Sequence, residues 1–379
     1  RPVGIARQER PLRQNMRLML LFQRQGNTAE GEKVSSIMEE KILKISSFIL
    51  TLLIAASLIV LGNYSVSNRK EAKHAQMSEL QMLAYYTEQA EEEEDIAFRQ
   101  QLRLELPPGM SEDDVTIQNE PVKQLVTIKI PDVEKDYFSS HPLLGRSDSI
   151  NDLYMENGVI EITLDAVYEV KSKVSDGYLY VDFLTPQQVY DKVIVIDAGH
   201  GGGAPGAIKQ GIMEKDINLA IVLQLKELLD ECERNIGVYY TRTEDVNPSF
   251  EQRAQLGGKA KANFCISVHS NSTTDGQMSE YNGTEVMYDE MEEEKEFSGK
   301  RLAQICLEEV TGLAGSKNNG LSYGNGIYII RNSEVPIALV EVGFMTNQAE
   351  LNKLNSEEYQ KLVAQGIYNG ILRALDEGY

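Results

Sequence analysis

The stretch VIVIDAGHGGGAPGAIKQGIMEKD, residues 193–216, decides the fold of the chain. Four of its first five residues are apolar and β-branched, which is typical of a buried strand. A loop with six glycines follows, and the pattern predicts an amphipathic helix beginning near Glu214. Because α/β proteins place functional groups in glycine-dense loops after buried strands, His200 and Glu214 at the two ends of this loop are candidate site residues.

Strand-like and helical patterns alternate throughout residues 191–379. This alternation predicts an α/β domain with a mostly parallel, helix-covered sheet. The predicted strands are 193–197, 237–241, 264–269, 284–289, 326–330 and 338–344, and the predicted helices cover 214–231, 249–261, 291–311 and 356–376.

The residues before this domain show a different sequence pattern. Residues 113–188 contain four segments in which apolar and polar residues alternate, which predicts a small antiparallel β module. Residues 63–112 are polar and mainly helix-permissive, so we expect a stalk there with one helix over 76–104. The three cysteines, Cys232, Cys265 and Cys306, show no C-x-x-C spacing and are expected to be buried thiols.

The charge distribution predicts where the chain is located. The net charge of −21 argues against nucleic acid as a partner. Residues 1–44 nevertheless hold nine Lys/Arg against five Asp/Glu, and the uncharged run ISSFILTLLIAASLIVLG, residues 45–62, follows them. At about 1.5 Å per residue this run spans roughly the hydrocarbon core of a bilayer.

We therefore expect a single-pass signal anchor at 45–62, with residues 1–44 cytoplasmic and the α/β domain at 191–379 in the cell envelope. A cleaved signal peptide is the alternative, but no clear A-x-A site follows the apolar run. Met38 is the expected natural start, which would make residues 1–37 an upstream extension.

Two motif matches in the chain are misleading. Residues 199–204 fit the G-x-G-x-x-A dinucleotide fingerprint, but about ten loop residues separate them from the helix that would face a pyrophosphate. HGGG (200–203) and GLSYG (320–324) resemble an esterase oxyanion loop and nucleophile elbow. That class requires a histidine after the serine, and no histidine follows His269, so a serine hydrolase is excluded.

The remaining candidates form a metal-ligand pattern. His200 and His269 each follow an apolar strand directly, and parallel strands bring such positions to one sheet edge. Two imidazoles and one carboxylate, here Glu214, are a common catalytic zinc ligand set. The alternatives are hydrogen-bonded structural histidines and a first-turn glutamate that complements the helix dipole.

Glu341 interrupts the apolar strand PIALVEVGF, residues 336–344. An unpaired buried carboxylate is costly, so such a residue usually faces a cation or a polarised water. Glu341 therefore has the right chemistry for a general base. The alternative is an ion pair with Arg242 or Arg253.

Five sequence blocks appear in order over residues 191–377: VIVIDAGHGGGAPGAIKQGIMEKDINLA, YYTRTED, QRAQLGGKAKANFCISVHSNS, NGTEVMY and PIALVEVGFMTN. Together they resemble the zinc-dependent N-acetylmuramoyl-L-alanine amidases of bacterial cell walls. The chain departs from the family at Ala204, where an aspartate is frequent. The β module is only vaguely similar to the wall-targeting β domains of some members.

The resemblance implies an enzyme that hydrolyses the amide between N-acetylmuramic acid and L-alanine in peptidoglycan. It implies one zinc ion bound by His200, Glu214 and His269, with Glu341 as the catalytic residue. Asn271 and Arg253 are candidates for substrate or supporting contacts. The alternatives are a zinc peptidase that cuts within the stem peptide and a non-catalytic wall-binding or activator protein.

Overall fold

The computed structural model describes residues 101–292 and 297–379. The predicted lead at 1–44, the predicted anchor at 45–62 and residues 63–100 of the predicted stalk lie outside the described residues. Within the described ranges, no helix combines the length and the apolar character needed to cross a membrane.

The β module consists of two four-stranded antiparallel sheets, in the orders β4-β1-β8-β7 and β2-β3-β6-β5. The two sheets share one apolar core, to which Leu104, Ile128, Ile160 and Val181 contribute. Its elements are β1 Leu102–Glu105, β2 Thr116–Glu120, β3 Leu125–Lys129, α1 Tyr137–Ser140, β4 Leu144–Gly145, β5 Ile150–Glu156, β6 Val159–Leu164, β7 Glu169–Ser175 and β8 Tyr178–Leu184.

The module begins earlier than predicted. Leu102–Glu105 was expected in the stalk, partly as helix, but it is strand β1 and pairs with β8 along its whole length. The alternation in LRLE covers only four residues, which is too short to stand out from the polar, helix-permissive run before it. Its strand conformation is decided by the distant partner β8, and not by local propensity.

The catalytic domain is built on a six-stranded sheet in the order β12-β9-β13-β16-β14-β15. Four of its neighbouring pairs run parallel, while β14 and β16 run antiparallel, so the sheet is mixed. Its strands are β9 Lys192–Ala198, β12 Ile236–Tyr240, β13 Phe264–Asn271, β14 Thr284–Tyr288, β15 Asn318–Tyr323 and β16 Ile337–Phe344, and a small hairpin is formed by β10 Ile208–Lys209 and β11 Ile212–Met213.

Helices cover both faces of this sheet. They are α2 Pro186–Val189, α3 Glu214–Asp230, α4 Phe250–Ala260, α5 Gly299–Ala314, α6 Tyr328–Arg331, α7 Gln348–Leu354 and α8 Glu357–Asp376. Along β9, Ile194 and Ile196 pack with α3, α5 and α8, whereas Val193 and Val195 point to the face covered by α4 and α6. This alternation explains why the strand reads as continuously apolar: it is buried on both sides.

Three local predictions were wrong in this domain. Residues 326–330, expected as a strand, include the start of the short helix α6, which buries Ile329 and Ile330. A short apolar run has the same composition in either state, so periodicity cannot separate them. The edge strand β15 was not predicted, because its residues are mostly polar and form no apolar run. Cys232 was expected to be buried but is only partly buried, unlike Cys265 and Cys306.

The module is fastened to the side of the catalytic domain. Tyr239 on β12 donates its hydroxyl to Glu169 of the module at 2.6 Å. The backbone N–H of Val167 donates to the carbonyl of Lys259 in α4 at 3.0 Å, and the Val167 side chain is buried in the core under α4. Lys259 also donates its Nζ to the carbonyl of Asp165 at 2.6 Å. The contact between the module and the catalytic domain therefore combines a buried apolar side chain with polar groups that are hydrogen-bonded to one another.

Candidate metal centre

The strand order brings the predicted site residues to one sheet edge. His200 follows the end of β9, His269 lies on β13 and Glu341 on β16, and these three strands are direct neighbours. Glu214 is the first residue of α3 and its side chain is buried. The glycine loop therefore ends close to the strand ends, where the carboxylate of Glu214 can contact both imidazoles.

The three predicted ligands are in mutual contact. Glu214 Oε1 lies 3.1 Å from His200 Nε2 and 3.0 Å from His269 Nδ1. Their potential ligand atoms all lie within 4.8 Å of one another. The two imidazole rings meet edge to face with centroids 4.9 Å apart. Two nitrogens and one oxygen thus converge on one point, as a tetrahedral zinc site with an open fourth position requires.

The electrostatics of the cluster suit a cation. Burial opposes the ionisation of Glu214, but hydrogen bonds from His200 and His269 outweigh it and hold the pKa of that carboxyl well below its usual range. Burial also works against a charged His269, yet its hydrogen bond to Glu214 and the charge of Glu341 raise the pKa of the imidazole. The carboxylate is therefore ionised, as a metal ligand must be, and two imidazoles with one carboxylate are a donor set that fits zinc.

Two glycines leave the room that this arrangement needs. A Cβ at position 199 would lie 2.3 Å from His269 Nε2. A Cβ at position 206, where φ is +68°, would lie 2.4 Å from Glu214 Oε2 and 2.7 Å from His200 Cδ2. Both positions therefore exclude any side chain while the ligand rings keep their places.

A buried ion pair holds the backbone of His200. This residue has a left-handed backbone, φ +60°, which costs energy for a residue with a side chain. Arg253 on α4 donates Nη2 to the His200 carbonyl at 2.5 Å and Nη1 to Asp197 at 2.6 Å. Burial raises the pKa of the Asp197 carboxyl, but the charge of Arg253 and hydrogen bonds from Ser267 and Thr241 outweigh it and leave the pKa lowered. Only 5% of the Arg253 side chain is exposed, which favours a supporting role over substrate contact.

Glu341 lies beside the cluster, and no ion pair joins it to any of the described residues. It is the register neighbour of His269 on β13 and of Glu285 on β14. Its Oε2 is buried and has no hydrogen-bond partner within the described part of the chain. Burial, with the charges of Glu214 and Glu285, raises the pKa of Glu341 to about 7, which suits a group that exchanges protons near neutral pH.

The ion pair considered for Glu341 from the sequence does not form. Arg242 donates to the carbonyls of Ala198 and Gly199 at 2.9 Å, and Arg253 pairs with Asp197. Both arginines therefore donate hydrogen bonds to backbone carbonyls of the segment that carries His200.

Comparison with known proteins identifies the family to which the chain belongs. The sequence profile described as N-acetylmuramoyl-L-alanine amidase matches residues 194–373. The germination-specific N-acetylmuramoyl-L-alanine amidase of Bacillus subtilis (strain 168) is 30% identical over 200 residues, which cover 49% of this chain and 81% of that protein. The chain belongs to the N-acetylmuramoyl-L-alanine amidase family. It is an amidase, a hydrolase of linear amides, and the resemblance seen in the sequence is confirmed.

Two further similarities cover the same half of this amidase. The uncharacterized protein YqiI of Bacillus subtilis (strain 168) is 34% identical over 185 residues, which cover 49% of this chain and 85% of that protein. The catalytic domain of the amidase CwlV from Bacillus (Paenibacillus) polymyxa var. colistinus is 35% identical, with a TM-score of 0.45 over 49% of this chain and 98% of that one.

Two residues of the amidase site were not singled out from the sequence. Asp197 organises Arg253, Thr241 and Ser267, and its position at the end of VIVID carried the same signal as Glu341, an acid within a buried strand. Glu285 faces Glu341 across the strand pair, and Asn271 Nδ2 lies 3.5 Å from Glu285 Oε2. In TEVMY the glutamate sits at an ordinary solvent-facing position of the alternation, so no local signal marked it. His141 stacks on Tyr137 in the module, outside the site.

Proposed function

We propose that this amidase is a zinc-dependent hydrolase of the bond between N-acetylmuramic acid and L-alanine in peptidoglycan. The observation that carries the proposal is the convergence of His200, Glu214 and His269. Beside them lies the buried Oε2 of Glu341, which has no hydrogen-bond partner among residues 101–292 and 297–379. Zinc held by the three ligands would polarise the scissile carbonyl and lower the pKa of the attacking water.

The chain's own groups have distinct tasks in this reaction. Glu341 accepts the proton of the attacking water at its shielded carboxylate and passes it to the leaving nitrogen of L-alanine. His269 carries one ligand nitrogen on the strand next to Glu341, so the strand register fixes the distance between the ligand and the base. Arg253 keeps the His200 carbonyl, and with it the glycine loop, in place.

Product analysis of a peptidoglycan digest tests the proposal. We expect the full chain with zinc to release stem peptides that begin with L-alanine and to leave glycan with free lactyl groups, as mass spectrometry will show. Shortened stems would instead indicate a zinc peptidase. Intact peptidoglycan after incubation with wild-type, zinc-loaded chain would leave only a wall-binding or activating role.

We also propose that the protein is anchored in the membrane, with its catalytic domain in the cell envelope. The support is the sequence pattern of a positively charged lead before the uncharged run at 45–62. Protease added to intact protoplasts is expected to remove the catalytic domain and leave a short membrane-bound fragment. Full protection of the domain in intact protoplasts, with digestion only after lysis, would refute this orientation.

A further inference from the structure

Three consecutive residues of the glycine loop have a positive φ. They are His200, Gly201 and Gly202, with φ of +60°, +135° and +49°. This conformation is costly for His200 and is one of many that the two glycines can adopt, so the surrounding structure must hold it. Gly201 and Ala204 exchange two backbone hydrogen bonds of 2.9 Å, which places Gly202 at the corner of a tight turn. The position of His200 therefore depends on what holds this turn.

The corner of the turn is held by three hydrogen bonds that form a closed triangle. The N–H of Gly202 donates to Asp245 Oδ1 at 2.7 Å, and Lys215 Nζ donates to the Gly202 carbonyl at 3.0 Å. The same Nζ donates to Asp245 Oδ2 at 2.6 Å, and Gly202, Lys215 and Asp245 together form what we name the clasp. Each bond has a charged partner, which makes it about twice as strong as a neutral one. Asp245 is 51% exposed, but only 11% of the Lys215 side chain is, which limits competition from water.

The clasp joins the two segments that carry neighbouring proposed ligands. Gly202 lies two residues after His200, and Lys215 directly follows Glu214 at the start of α3. Asp245 belongs to a third segment, the loop between β12 and α4. His200 Nε2 and Glu214 Oε1 are 3.1 Å apart, and any shift of the turn relative to α3 changes that distance. The clasp therefore sets the spacing of the two ligands through the backbone.

The buried arginines hold a different part of the loop. Arg242 and Arg253 donate to the carbonyls of residues 198–200, which precede the turn. Arg242 also donates Nη2 to the carbonyl of Lys215 at 2.8 Å, which fixes the start of α3. Gly202, at the far side of the turn, is held by the clasp. Loss of the clasp would therefore release one end of the strained segment while the arginines still hold the other.

We propose that Asp245 and Lys215 are positioning residues that hold His200 and Glu214 at the spacing zinc requires before the ion binds. This assignment rests on the proposed function. The two residues act through the backbone of Gly202 and the start of α3, so their contribution is preorganisation of the metal-free site. Without them the turn samples other conformations, and zinc binding must restore the one that fits. Their loss therefore weakens zinc binding and leaves the chemistry of the zinc-loaded site unchanged.

Zinc affinity of full-chain variants tests the clasp. Asp245→Ala and Lys215→Met are each expected to weaken zinc binding about tenfold in competition with a chromophoric chelator. The double variant is expected to lose about twentyfold, well short of the roughly hundredfold loss of independent effects, because either substitution alone opens the triangle. Glu244→Ala is the matched control for charge, since it removes a carboxylate from the adjacent exposed position. Lys226→Met is the control for the lysine, since it breaks the ion pair with Asp230 further along α3.

Hydrogen exchange of the metal-free chain gives a readout that does not depend on zinc. In the presence of a chelator, we expect the amides of residues 199–207 to exchange about tenfold faster in Asp245→Ala than in wild type or in Glu244→Ala. At saturating zinc, kcat and KM for a muramoyl peptide are expected to stay within about twofold of wild type, because the clasp does not act on the reacting bond.

A milder variant separates positioning from folding. Asp245→Asn keeps an oxygen for the N–H of Gly202 but loses the charge that pairs with Lys215, so we expect it to weaken zinc binding about threefold. Circular dichroism and the melting temperature of the metal-free chain show whether each variant folds as wild type. A lower melting temperature with unchanged zinc affinity would reduce the clasp to ordinary loop contacts and overturn the proposal.

Two further outcomes would overturn the clasp. One is unchanged exchange of residues 199–207 in Asp245→Ala, and the other is a hundredfold loss of zinc affinity in the double variant, which would show that the two residues act independently. A wild-type chain that binds no zinc would refute the proposed function instead. In that chain, faster exchange of residues 199–207 in Asp245→Ala would still support the clasp as the contact that orders the glycine loop.

Discussion

Replacing Glu341 with glutamine will lower kcat by about three orders of magnitude while the chain keeps its zinc. Glutamine has the shape of glutamate but cannot accept the proton of the attacking water, whereas the proposed ligands His200, Glu214 and His269 are untouched. Turnover of a muramoyl peptide and the zinc content of the same sample give both halves of the result. Glu161→Gln, an exposed carboxylate on β6 of the module, is the control and is expected to behave as wild type.

Glu341→Gln lowers activity, but it is expected to raise the stability of the metal-free chain. Because the pKa of Glu341 in the fold is raised to about 7, above that of an ordinary carboxyl, ionising the group costs folding free energy. This cost is absent below pH 4, grows as the pH rises and is complete above pH 7. Glu341→Gln removes it, so we expect the variant to be more stable than wild type by about 3 kcal/mol at pH 8.5 and equally stable at pH 4.

Thermal or denaturant unfolding in the presence of a chelator measures this difference. A gap in unfolding free energy that does not change with pH would show that Glu341 is not held in the fold as a disfavoured carboxylate. Turnover that survives the substitution would assign the proton transfer to another group.

Replacing Gly199 with alanine is expected to weaken zinc binding at least about a hundredfold, although position 199 supplies no ligand. The new Cβ would lie 2.3 Å from His269 Nε2, and the ring is held from its other nitrogen by Glu214. The ring can move away only by giving up that bond, so the ligand geometry is lost. Turnover is expected to fall with the zinc affinity.

Gly203→Ala is the matched control for this prediction. Position 203 lies in the same loop, has no left-handed backbone, and a Cβ there meets no heavy atom within 4 Å. Competition with a chromophoric chelator gives the two zinc affinities, and circular dichroism confirms that both variants fold. If the two alanines weaken zinc binding equally, steric contact with His269 is not the reason for the glycine.

The convergence of the candidate ligands was predictable because their signal is local. His200 and His269 each follow an apolar run, and parallel strands bring such positions to one edge of a sheet. The support of the site was not predictable in this way. Arg253 and Asp197 are 56 residues apart, and although the sequence marks Arg253 as a candidate and places an acid at the end of a buried strand, nothing local pairs the two.

The same distinction explains the errors in the fold. Strand β1 is determined by its pairing with β8, more than 70 residues later in the chain, and α6 by burial of Ile329 and Ile330 against α4 and the sheet. Both segments are only four residues long, so local propensity carries little weight against their tertiary contacts. Long, strongly periodic elements such as α3 and α8 begin and end close to where the sequence placed them.

The contact of Tyr239 with Glu169, and of Val167 with Lys259, has a consequence for how this protein can evolve. A module taken from another amidase would bring different groups to the Tyr239 hydroxyl and the Lys259 carbonyl, and it would have to fill the apolar space now occupied by Val167. Substitutions on one side of this contact are therefore expected to require compensating substitutions on the other side.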